Sequence, residues 1–157
     1  MRRVEFVDTS ILLNVLNVPG KNQDRETIVV ELQARIDSGI HFILPATTII
    51  ETGNHISQLP RGDDRRRCGT GLDVLLREVI GGEAPWVLHE AAWDRGLLRT
   101  LCDGLQGQGN LVELLTSQTM GTGDLAILAE CERYADRVSH LEVGVWTLDR
   151  SLAAYAP

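Results

Sequence analysis

Residues 4–16 read VEFVDTSILLNVL, and the fold turns on how this stretch is parsed. An apolar run ends at Asp8, two hydroxyl residues follow, and a second apolar run begins at Ile11. The first run, VEFV, is short and mostly apolar, which predicts a buried strand. Residues 9–17 predict a helix that stops before Pro19-Gly20. A carboxylate therefore stands at the joint between two segments that both favour burial.

The same alternation continues along the chain. RETIVVELQARI sets Ile28, Val29, Leu32 and Ile36 on one helical stripe that ends at Gly39. IHFIL reads as a second strand. Pro45 suits the first turn of the next helix, ATTIIETGNHISQL. PRGDDRRRCGTG is polar and glycine-rich and reads as a loop, and LDVLLREVI reads as a helix stopped by Gly81-Gly82. PWVLHE is a strand candidate. AAWDRGLLRTLCDGL, GNLVELLTS and GDLAILAECERYA read as helices, LEVGVWTL as a strand and RSLAAYA as a last helical turn or two. Short apolar strands alternating with helices imply an α/β fold, a three-layer α/β/α arrangement around a parallel sheet of about four to five strands. The expected organisation is one domain over residues 1–157, with an extended helical or loop segment around 60–85.

Composition narrows the class. Apolar residues make up 43% of the 157, and the formal charge is −7 with a pI near 5.0. A surface that coats nucleic acid would be basic, so any nucleic-acid chemistry must act through something other than bulk charge. Cys68, Cys102 and Cys131 are far apart with no C-x-x-C pair, which argues against a zinc site or a disulfide framework. The first ten residues carry two arginines but no apolar signal core, and no apolar run reaches 18 residues, so a cytoplasmic protein is expected.

Ligands of a parallel sheet bind beyond the carboxyl ends of its strands. Asp8 and Asp149 end strands, Asp124 opens an apolar helix just after Gly121 and Gly123, and Glu51 lies within the helix that follows the second strand. Taken singly, each has an ordinary explanation. Asp before a helix caps N–H groups, and Glu on a helix is usually solvated. As a set, the four could meet at one end of the sheet.

Four stretches in this order, FVDTSILLNVL, LPATTIIETGNHI, GTGDLAILAECERYA and VWTLDRSLAAY, resemble the PIN domain, the fold of bacterial toxin ribonucleases of the VapC-like type. The resemblance spans almost the whole chain. It implies a PIN-like sheet and a metal-dependent endoribonuclease, the toxin of a toxin–antitoxin pair. The family's four acidic positions fall on Asp8, Glu51, Asp124 and Asp149, which would be both catalytic and metal-holding. Ser10 matches the hydroxyl that supports the first Asp, and Thr147 the threonine before the last. The implied cofactor is Mg²⁺ or Mn²⁺, the implied substrate RNA, and the implied partners an antitoxin protein and a second copy in a homodimer. The chain departs from compact members in its longer 60–85 stretch and in the short or missing final edge strand after Asp149.

The chemistry agrees with the residue types. Clustered carboxylates repel, and a hard divalent cation with oxygen ligands removes the repulsion while keeping waters for substrate phosphate. Arg61, Arg65, Arg66 and Arg67 are candidates to guide RNA phosphates, although Asp63 and Asp64 sit among them and a mixed-sign segment is ordinarily just solvated. His55 follows Glu51 by one helical turn and reads as a surface residue. Trp86, Trp93 and Trp146 lie in apolar stretches and read as core. Other readings compete. An aspartate-nucleophile phosphotransferase needs a second Asp where Ser10 stands. A nucleotide-binding module needs a glycine-rich loop where DTSIL stands. A catalytically inactive PIN-like domain that binds RNA or protein would keep the fold without cutting.

Overall fold

The computed structural model describes residues 2–155. Strand β1 covers Arg3–Val7 and runs straight into helix α1, Thr9–Val15, with Asp8 between them. Helix α2 (Arg25–Asp37) leads to β2 (His41–Ile43) and α3 (Ala46–Ser57). Helices α4 (Gly62–Gly81), α5 (Arg95–Asp103), α6 (Leu111–Thr116) and α7 (Thr122–Arg137) precede β3 (Glu142–Trp146) and α8 (Arg150–Tyr155). The expected terminal helix extends to Ala156, which lies outside the described residues.

The fold is α/β with an open, all-parallel sheet in the order β2-β1-β3. Three strands form where four to five were expected. PWVLHE contributes only an isolated parallel bridge, Phe42 with Trp86, closed by Phe42 N–H to Pro85 O and Val87 N–H to Phe42 O. Pro85 has no N–H to donate, and Glu83 and Ala84 ahead of it are exposed, so the pairing does not extend into a ladder.

Alternation along β1 sorts its side chains. Val4 and Phe6 pack with Ile127 and Cys131 of α7. Val7 joins Ile11, Leu12, Ile28, Phe42 and Trp146 on the other face. Glu5 shares that second face and is buried in mid-strand. It accepts from Arg3 at 2.8 Å and from Arg35 of α2 at 2.9 Å, and the Arg35 guanidinium lies 4.3 Å from the Trp146 ring centroid. A buried carboxylate is tolerable with such partners. α2 buries only Ile28 fully, while Val29 is exposed, so its apolar stripe is narrower than expected.

The segment 62–81 is one continuous helix and not a loop followed by a helix. Cys68, Leu72, Leu75 and Val79 recur at helical spacing and bury against α1, α3 and the sheet. Asp63 and Asp64 fall in the first turn, where they complement the helix dipole. The helix ends at Gly82, whose φ of +67° suits a residue without a Cβ. Trp86 and Trp146 are core as expected. Trp93 is 50% exposed because it stands in the irregular 87–94 stretch, with no element over it.

Candidate functional site

The sheet order places β1 in the centre. The chain leaves it toward β2 on one side and returns as β3 on the other, so the crevice between the carboxyl ends of β1 and β3 is where such a sheet binds ligands. Asp8 and Thr147 stand at that crevice, one residue past the paired Val7 and Trp146. The Asp8 N–H donates to Trp146 O at 3.0 Å, continuing the ladder to the edge.

Asp8 is 5% exposed. It occupies the N-cap position of α1, yet its side chain makes no capping hydrogen bond. Its Oδ2 instead accepts from Ser10 Oγ at 2.7 Å and from Thr147 Oγ1 at 2.8 Å. Both hydroxyls are held in turn: Leu148 N–H donates to Ser10 Oγ and Asp149 N–H to Thr147 Oγ1. The two supporting hydroxyls expected from sequence therefore both meet the first Asp, and both take the same oxygen.

Glu51 is reached from another direction. Thr48 Oγ1 donates to Val7 O at 2.8 Å and ties α3 to the end of β1. One turn on, Glu51 Oε2 accepts from Thr9 Oγ1 at 2.7 Å. Its other oxygen lies over Gly123, where a Cβ would overlap Glu51 Oε1. The glycine before Asp124 thus permits the approach of α3 to the start of α7.

Asp124 sits in the first turn of α7. Its pKa is pushed up to about 6, first by burial and then by the charges of Asp8, Asp149 and Glu51, with a hydrogen bond from the Gly121 backbone opposing. The four acids are therefore close enough for their charges to act on one group. Asp149 is the exception to the set in one respect. Its Oδ1 accepts from Ser151 N–H at 2.8 Å, so it does cap α8. Among the described residues, no three His, Cys, Asp or Glu side chains are gathered tightly enough to hold a metal ion as they stand. Asp8, Glu51 and Asp149 each have one oxygen engaged by hydrogen bonds, which leaves the other oxygen of each free to face a ligand. Their donor set is all oxygen, which suits a hard cation such as Mg²⁺.

The arginine cluster is used differently. Arg65 Nη1 donates to Leu59 O and Pro60 O, and Arg67 donates to Leu16 O and Asn17 O. These two close the loop before α4 and the carbonyls after α1. Arg61 and Arg66 remain exposed. The contacts of Arg65 and Arg67 lead to the 16–17 turn and to residues 59–60, not to the carboxylates. His55 is half-buried one turn beyond Glu51.

Three groups were not singled out in the sequence. Thr9 holds Glu51, and its place between Asp8 and Ser10 was the available signal. Glu5 and Glu130 are buried acids inside apolar elements, and charge in such a run was their only mark. No protein-family model, no curated protein and no solved structure matches this chain.

Proposed function

We propose that the chain is a PIN-like, divalent-metal-dependent ribonuclease that hydrolyses RNA phosphodiester bonds. The observation that carries the reading is geometric: Asp8, bonded by Ser10 and Thr147, stands at the switch point of a parallel sheet, and Glu51 lies over Gly123 beside Asp124, whose pKa burial raises first and the charges of Asp8, Asp149 and Glu51 raise further. Asp8, Glu51, Asp124 and Asp149 would hold Mg²⁺ or Mn²⁺. The ion, when bound, supplies an acidified water and steadies charge on a phosphate under attack. Ser10 and Thr147 orient Asp8 by their bonds to Oδ2. Thr9 fixes Glu51, which stands to hold the ion or orient the attacking water. Toxin action, an inhibiting antitoxin and a homodimer extend the same reading and rest on the sequence resemblance alone.

The expected outcome is cleavage of RNA with Mg²⁺ or Mn²⁺ and none with EDTA. Asp8→Asn should abolish cleavage while the far-ultraviolet circular dichroism stays that of wild type. Full activity of that variant, purified away from other nucleases, would refute the assignment. A second reading is favoured by the engagement of Asp149 as a helix cap: a PIN-like domain that binds RNA or protein without cutting. Metal-dependent RNA binding without cleavage by the wild-type protein would select it.

A further inference from the structure

Ahead of α5, residues 87–93 run against α7 as a strap that is neither helix nor strand. At one end Val87 N–H donates to Phe42 O at 2.9 Å, and at the other Asp94 meets Arg133 in a two-pronged pair at 3.0 and 3.1 Å. Among the described residues, no backbone–backbone hydrogen bond holds residues 88–93. Side chains therefore seat the strap, and a segment held in that way opens locally before the core does.

His89 is the central anchor. Its side chain is 5% exposed, and its ring meets Phe6 and Tyr134 edge-on, with centroids 5.4 and 5.3 Å away. Nε2 stands 4.0 Å from Oε2 of Glu130, which is 2% exposed and has no hydrogen-bond partner on either oxygen. The charged or titratable groups facing this pair are Arg133, Tyr134 and Arg137 of α7, with Glu90 and Asp94 from the strap and its end. Phe6 of β1, Leu97 of α5, Ile49 of α3 and Val79 of α4 present only apolar surface. Arg133 is committed to Asp94, and Arg137 Nε donates to Arg133 O.

The pair has three protonation states. With no proton, a carboxylate is buried without a donor. With two, an imidazolium is buried beside two arginines without an anion. With one, the carboxyl O–H can donate to the neutral imidazole, once a side-chain rotation closes a gap about 1 Å beyond hydrogen-bond length. Burial raises the Glu130 pKa against the opposing Trp93 and Arg133, and burial, then Arg137 and Arg133, lower that of His89. Both directions put the single proton on the carboxyl.

We propose that residues 87–93 are latched to α7 by one proton shared between Glu130 and His89, and that the strap lifts when this proton is lost. In the lifted strap both groups meet water and take their ordinary values, 6.5 for His89 and 4.5 for Glu130. Between those values the lifted state also holds one proton, on His89, and lifting is indifferent to pH. Above about 6.5 the lifted state gives up its proton while the seated state keeps one, so lifting is favoured as pH rises, by up to about tenfold per pH unit. His89 lines both a hollow of about 330 Å³ toward α3 and α4 and one of about 400 Å³ toward Tyr134 and Arg137, so lifting makes the two continuous. The latch is independent of the acids at the end of the sheet and of the function proposed for them.

The test is amide hydrogen exchange from pH 4.5 to 8.5, corrected for intrinsic rates, with Val87 N–H reporting the strap and Phe6 N–H the core. This range lies above the titration of Asp94, whose pairing with Arg133 lifting also breaks. In wild type, opening at Val87 should stay flat to about pH 6.5 and then rise, while Phe6 stays more protected. In His89→Phe the rise should begin near pH 4.5, since only the carboxyl then titrates. In Glu130→Gln it should vanish and be replaced by a rise as pH falls below about 6.5, from His89 alone. A flat wild-type profile above pH 6.5, equal opening of Val87 and Phe6 at every pH, or an unchanged profile in either variant would overturn the proposal. The wild-type profile decides the matter even if a variant fails to fold.

Discussion

Asp124 has an environment that opposes its charge twice, once by burial and once through Asp8, Asp149 and Glu51. Its ordinary pKa of 3.8 describes the unfolded chain, and about 6 the folded one. Between those values the native state binds the extra proton, so apo stability falls as pH rises from about 4 to about 6 and stays lower above. Asp124→Asn removes that loss. Because the group is partly solvated, the gain is on the order of 1 kcal/mol after screening, or a few degrees in Tm at pH 7 to 8. Below about pH 4 the difference should vanish, since wild-type Asp124 is then neutral in both states. Thermal unfolding of apo wild type and variant across that range, at constant ionic strength, checks it. Equal melting temperatures at pH 7 would mean that neither burial nor the neighbouring acids oppose the charge of this carboxylate. Asp8 makes the same point by contact: a cap would accept from a backbone N–H of α1, whereas Asp8 accepts only from the hydroxyls of Ser10 and Thr147.

At the scale of elements, the approach of α3 to α7 rests on Gly123. A methyl group there meets Glu51 Oε1, while in the absence of that carboxylate it would only add helix propensity. Gly123→Ala should therefore destabilise wild type by about 1 kcal/mol but be neutral or stabilising in a Glu51→Ala background. Urea unfolding of the four proteins measures the coupling, and independent effects would separate the two helices. Gly69 is the contrasting case, helical with open space where a Cβ would go, so Gly69→Ala should raise stability by about 0.5–1 kcal/mol on the same measurement. That helix also shows what the sequence could and could not tell. β1, β3 and α7 were legible because their apolar residues cluster without competing signals. The first half of α4 was not, because Gly69, Gly71 and a run of charges suggested a loop. The decisive evidence, Cys68 spaced with Leu72, Leu75 and Val79, is a tertiary stripe. PWVLHE failed as a strand for the opposite reason: apolar content is local, but a ladder needs partners with free N–H groups on both sides of Pro85. The site was legible as a set of types in order. The bonds that orient it, Thr9 to Glu51 and Thr48 to Val7, join segments about 40 residues apart and follow only from the packing.

Across the whole molecule, α7 carries two acids whose burial favours the neutral form, Asp124 at the edge of the sheet and Glu130 in the interior. Both give an apo protein that is less stable at neutral pH than its packing allows, but they differ in what relieves them. A divalent cation bound at the four acids, as proposed, would stabilise the fold by mass action, by about 2.7 kcal/mol when its concentration is a hundred times its dissociation constant. Glu130 is too far along the helix to join that ligation and is buried beside His89. Glu130→Gln should therefore raise the apo Tm at neutral pH, by removing a carboxyl whose ionisation burial opposes, and leave the rise produced by Mg²⁺ unchanged. Asp124→Asn should raise the apo Tm and shrink the Mg²⁺ rise, because a ligand is gone. The double variant should show the sum of the two apo gains, as sites without shared partners do. The measurement is thermal unfolding of the four proteins with and without Mg²⁺ at fixed ionic strength, so that general screening is held constant. A Mg²⁺ response lost equally in both single variants would show one coupled acidic system along α7, and a wild type indifferent to Mg²⁺ would remove the metal from the acids altogether.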